Sequence, residues 1–112
     1  MGTSLANGFE SPGNESLDSI ERRVLATLRP MYDTQRLTTL NAISAALKAP
    51  ARINPCDLAA ELHALAGTAA HFEQVDLGNL ARQAENMIRT HARQDMQLIA
   101  LRHVRDELER TS

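Results

Sequence analysis

His63 is the residue in this 112-residue chain whose type and surroundings could support chemistry. Imidazole is the side chain balanced between charged and neutral forms near pH 7, and its neutral form is a good nucleophile. On a helix advancing about 100° per residue, His63 points away from a stripe formed by Leu58, Leu62, Leu65, Ala69 and Phe72. Its helical neighbours are Ala59 one turn before, Ala66 and Gly67 one turn after, and Ala70 two turns on. An exposed helix face ordinarily carries Lys, Glu, Arg or Gln, which favour the helix and keep the protein soluble. Gly67 sharpens the contrast. A glycine inside an exposed helix costs about 1 kcal/mol relative to alanine, but it lets a foreign backbone or a phosphate approach closely. A lone histidine is more often just a solvated residue, and small residues more often mark a helix–helix contact. It is their combination that describes a titratable nucleophile on an open platform.

The other reactive side chains fit their chemistries less well. The chain has four histidines, but di-iron bundles place Glu three positions before each ligand histidine. Before His63, His71, His91 and His103 stand Ala60, Thr68, Ile88 and Ala100. His63 and His71 lie two turns apart and are poorly aligned for a shared ion, while His91 and His103 read as solvated helix-end residues. The single cysteine, Cys56, excludes an internal disulfide and a Cys-rich zinc site. It reads as a small residue of a helix start. Neither a Gly-rich phosphate loop nor an acidic metal cluster on a recognisable spacing is present. A net charge of -2 argues against a broadly cationic nucleic-acid surface, and an aromatic content of 3% against base-stacking platforms. The charges of Arg102, Arg105, Asp106, Glu107, Glu109 and Arg110 mix signs at helical spacing, as on a solvated face with i,i+4 pairs.

These residues must be positioned by helices. A core with few rings is filled by Leu, Ile, Ala and Met, which suits helix packing better than a β-sandwich. Residues 1–15, with Gly2, Gly8, Pro12 and Gly13, read as a flexible N-terminal arm in which Phe9 is the one large apolar anchor. A first helix is expected over about residues 17–28 (Leu17, Ile20, Val24, Leu25, Leu28), ended by Pro30. A second is expected over residues 34–47, with Asp33 as N-cap and a stripe of Leu37, Leu40, Ile43 and Leu47. The third has the best-marked start, with Asn54 as N-cap, Pro55 at the first position and Asp57 in the first turn. It runs to about Phe72. A fourth begins after Asp76 and a fifth near Asp95, with Met87 and Met96 as core fillers. Short connections between amphipathic helices favour antiparallel neighbours. The expected fold is all-α: an antiparallel up-down four-helix bundle with a short additional N-terminal helix, spanning residues 16–112. No apolar run approaches the roughly 20 residues of a membrane span, residues 1–14 lack the pattern of a secretory signal, and a cytoplasmic location is expected. Gly2 raises the question of myristoylation, but Ala6 stands where that motif needs Ser or Thr.

The run His63-Ala64-Leu65-Ala66-Gly67-Thr68-Ala69-Ala70 resembles the signature of histidine-containing phosphotransfer (HPt) domains, in which the phosphorylated histidine is followed by Leu, then Gly, then small residues. The resemblance continues through Phe72 to the Leu-x-x-Leu-x-x-x-x-Glu pattern of Leu77, Leu80 and Glu85. Two positions depart from the family. Ala66 stands where a lysine is common, and Glu73 where a glycine often ends the helix.

The resemblance implies a phosphoryl relay in which Nε2 of His63 takes the group from an aspartyl phosphate of a receiver domain and returns it to another receiver. The implied partners are receiver domains of response regulators or hybrid histidine kinases. They would supply the Mg²⁺, so the chain itself needs no cofactor, and it would act as a monomer. The docking rim would be Ala59, Leu62, Ala66, Gly67, Ala70 and Phe72 around His63. A sensor kinase's dimerisation helix, which also carries a phosphorylated histidine, fits less well. Ala64 replaces the acidic residue that follows the histidine there, no proline comes after it, and no ATP-binding region is present. The alternative of another class is a helical adaptor that binds a partner through the His63 face without phosphoryl chemistry.

Overall fold

A computed structural model describes residues 13–112, with side chains from residue 17 onward. Among these residues every regular element is helical: α1 (Gly13–Lys48), a 3₁₀ turn (Pro50–Arg52), α2 (Pro55–Ala69), a second 3₁₀ turn (Ala70–Phe72), α3 (Val75–Arg89) and α4 (Gln94–Arg110). None of them is long and apolar enough to cross a membrane. The flexible arm expected over residues 1–15, Phe9 included, lies outside the described residues as far as residue 12, and Gly13 already opens α1.

The largest departure from expectation is α1. Two helices broken at Pro30 are in fact one helix of 36 residues with Pro30 inside it, and Asp33 is an interior residue rather than a cap. Proline's fixed φ is itself helical, so what the ring forfeits is one backbone donor and some room around the carbonyl four residues earlier. The turns on either side carry the helix through.

The chain divides into two units, up to Met31 and Tyr32–Ser112. In the described part of the first, the stripe expected to be covered is largely open to solvent: Leu17, Ile20, Val24 and Leu28 are exposed and Leu25 is half-buried.

The second unit holds the core. Tyr32, Ile43 and Ala46 from α1 join Leu58, Leu62, Leu65 and Ala69 from α2, Leu77, Ala81, Ala84 and Ile88 from α3, and Leu101, Val104 and Leu108 from α4. On α1 the buried row is Tyr32, Arg36, Thr39, Ile43 and Ala46, whereas Leu37 is exposed. The apolar stripe read from the sequence is therefore rotated, because Arg36 and Thr39 are buried with polar partners rather than excluded. Arg36 donates to the Leu108 carbonyl at 2.9 Å and to Thr111 Oγ1 at 2.8 Å, and Thr39 donates to Glu61 at 3.3 Å.

Candidate functional site

The helix that carries His63 is built as its sequence dictates. The Asn54 side chain accepts from the Asp57 backbone N–H, Pro55 fills the first position, and Asp57 faces the positive end of the helix dipole. Leu58, Leu62, Leu65 and Ala69 then anchor α2 in the core. Its far end closes at Glu73, whose left-handed backbone (φ 60°, ψ 25°) lets the N–H groups of Glu73 and Gln74 return to the carbonyls of Ala70 and Ala69. This is the position where the resembled family often has glycine, and a side chain there costs about 1–2 kcal/mol in the left-handed region.

With α2 held this way, His63 projects outward and its side chain is 74% exposed. Its partner comes from α3. Nδ1 lies 3.3 Å and 3.2 Å from the two carboxylate oxygens of Glu85. Glu85 also accepts from Arg89 Nε at 2.7 Å, and its side chain is only 14% exposed. Burial works to raise the Glu85 pKa, but the hydrogen bonds from Arg89 and His63, with their charges, outweigh it and hold the carboxyl below the ordinary glutamate range. An ionised carboxylate can only accept. The Nδ1 nitrogen must therefore carry the proton in the pair, which leaves the lone pair of the neutral ring on Nε2. That nitrogen has no hydrogen-bond partner among the described residues.

Gly67 behaves as its position suggests. A Cβ built there would meet nothing within 4 Å, so no neighbour among the described residues demands a glycine. An open cleft of about 450 Å³ runs beside the imidazole, lined by His63, Ala66 and Gly67 of α2 and by Arg82, Glu85, Asn86 and Arg89 of α3. Gly78 stands on the α3 side of this helix pair, where a Cβ would lie 3.5 Å from the Ala66 carbonyl oxygen and 3.7 Å from Ala69 Cβ.

The docking rim read from the sequence is only partly available. Gly67 and Ala70 are exposed, but Ala59 (1%), Leu62 (0%) and Ala66 (2%) are buried. The stripe of Leu58, Leu62, Leu65, Ala69 and Phe72 marks one apolar direction, whereas α2 buries a wider arc that takes in both alanines. Phe72 is half-buried, and its ring stacks on Tyr32 with centroids 4.5 Å apart and planes 2° from parallel. The small exposed residues actually flanking the imidazole on α2 are Ala60, Ala64 and Gly67. They follow from the i−3, i+1 and i+4 positions of His63, a signal the sequence contained. Arg82 and Arg89, by contrast, reach the site only through the packing of α3.

The remaining candidates stand apart. Cys56 is exposed in the first turn of α2. His91 ends α3 in a left-handed conformation (φ 55°), as a helix-end residue, whereas His103 lies in the middle of α4. Among the described residues no group of three or more His, Cys, Asp or Glu is placed to hold a metal ion. No family model, curated protein or solved structure matches this chain.

Proposed function

We propose that the protein is a phosphoryl carrier that relays a phosphoryl group between receiver-domain aspartates through His63, within an antiparallel up-down bundle of the HPt type acting as a cytoplasmic monomer. The observation that carries this reading is the pairing of His63 with Glu85: one ring nitrogen is tied to a carboxylate and the other is presented to solvent. Attack by the Nε2 lone pair on the phosphorus of an aspartyl phosphate forms the N–P bond and breaks the P–O bond, returning that electron pair to the receiver's carboxylate. The ring becomes an imidazolium as it does so, and the Glu85 charge beside Nδ1 stabilises it. Return to a second receiver reverses these steps.

Phosphoryl transfer asks chiefly for alignment and charge stabilisation, and this chain's share is a bare nucleophile on a surface that Ala60, Ala64 and Gly67 keep low. The receiver would bring the Mg²⁺ that neutralises the phosphate, so no metal site is required here.

The test is incubation with phosphorylated receiver domains, scoring acid-labile, base-stable phosphate on the wild-type chain and on His63→Gln. Label on the wild type and none on the variant is the expected result. A wild-type chain that binds a receiver yet acquires no label from any of several would instead make it an adaptor.

A further inference from the structure

The two guanidinium groups beside His63 are differently engaged. Arg89 is committed to Glu85 through its Nε at 2.7 Å. Arg82 lines the same cleft, yet its one hydrogen bond among the described residues is a 3.4 Å contact with the neutral amide oxygen of Asn79. Among the described residues no carboxylate pairs with it. With a neutral imidazole, the cleft lining holds two positive groups, Arg82 and Arg89, and one negative, Glu85, so no other charge in the lining offsets Arg82.

Position follows from the packing of the two helices. His63 meets Glu85, and Ala66 and Ala69 meet Gly78. These pairs put residue 82 level with residues 65 and 66, less than one turn along α2 from the imidazole. Between them lies the open space above Gly67.

We propose that Arg82 binds the phosphoryl group while His63 carries it, its guanidinium donating to the oxygens of the N-linked phosphate. The assignment rests on the phosphoacceptor reading above. A planar fork of donors suits phosphate oxygens better than a point charge does, and the charge-assisted hydrogen bonds are among the stronger ones. In transfer, charge is spread over the three oxygens of the moving group, and a fork already aimed at them aligns and stabilises it, so Arg82 speeds arrival of the phosphoryl group as well as holding it.

The experiment uses potassium phosphoramidate as the donor, so that no receiver contributes to the result. Nε2 attacks phosphorus, the P–N bond to ammonia breaks, and ammonia leaves with the electron pair. Phosphohistidine is followed by ³¹P NMR, and the His63 resonance is the one missing from His63→Gln, with the other three histidines as internal references. Arg82→Gln should slow formation of phospho-His63 about tenfold and shift its resonance, and Arg82→Lys should recover part of the rate. Arg93→Gln, which removes a charge paired with Asp95 at 3.0 Å on the exposed surface, should behave as wild type. Arg82 is itself exposed, so the variants should fold, which circular dichroism checks. If the wild type gives no signal that His63→Gln lacks, the phosphoacceptor reading fails, and this one with it. If phospho-His63 forms at the same rate with the same resonance in Arg82→Gln, the Arg82 assignment alone is overturned.

Discussion

At the scale of the residue, the proposed chemistry turns on Glu85 as much as on His63. The two are 22 positions apart, and nothing local to either announces their contact. Glu85 is legible in the sequence only as the last position of a Leu-x-x-Leu-x-x-x-x-Glu run, whereas its work of fixing the imidazole proton emerges from packing. Because its pKa is depressed in the folded protein, its interactions with Arg89 and His63 add stability that is fully present above the unfolded glutamate value of about 4.3. That contribution is lost as the pH falls through the lower folded value. Urea unfolding of the wild type and Glu85→Gln from pH 7 down to pH 3 should therefore show a stability gap that closes on the acid side. A gap of constant size would mean that the carboxylate's charge contributes nothing. At neutral pH the same variant should accept phosphoryl groups about tenfold more slowly, or roughly 1.4 kcal/mol in the barrier, because an amide can hold the Nδ1 proton but cannot balance the imidazolium.

At the scale of the element, what could be read in the sequence depended on how local the determining physics is. The start of α2 was legible because Asn54, Pro55 and Asp57 each act within one turn of the helix end. Pro30 misled for the complementary reason: a local rule against proline was outweighed by the cooperativity of the turns around it, and α1 runs on to Lys48. The burial of Ala59 and Ala66 was illegible because the period of a helix identifies an apolar direction but not how many neighbours will cover it. Gly67 is the case where the local argument and the packing agree. With nothing near its missing Cβ, Gly67→Ala should stabilise the fold by about 0.5–1 kcal/mol in urea unfolding. Gly67→Arg should remain folded, since its side chain has open space, while its bulk keeps a receiver from seating over His63 and transfer is lost. Transfer at the wild-type rate in that variant would show that the platform is not where the partner docks.

At the scale of the molecule, the unit from Tyr32 onward is tied together by a buried cation as well as by its apolar core. Arg36 is 8% exposed and donates to the Leu108 carbonyl, to Thr111 Oγ1 and to the side-chain oxygen of Gln74, which also accepts from the Tyr32 hydroxyl. One guanidinium thus joins α1 to the turn before α3 and to the last turn of α4, while the Tyr32 ring that it approaches at 5.8 Å stacks on Phe72 just beyond the end of α2. Its charge is answered at a distance by Glu107. That carboxyl is held below the ordinary range first by its hydrogen bond from Arg110, against the effect of burial, and then by the charges of Arg110 and Arg36. No apolar pattern could have exposed this network, because its central residue is of a type that sequence reasoning assigns to the surface. Hydrogen bonds to a charged group contribute about 1.5–3 kcal/mol each, and unmet buried acceptors carry their own cost. Arg36→Met should accordingly lose about 2–4 kcal/mol in urea unfolding, a large share of a small domain's stability. Arg36→Lys should recover less than half of that, since an ammonium lacks the fork that reaches acceptors both before α3 and at the end of α4. Below the unfolding transition either variant should still take up phosphoryl groups at His63 normally, because Arg36 makes no contact with the His63 cleft. A loss under about 1 kcal/mol in Arg36→Met would mean that the apolar core alone sets how these helices close around α2.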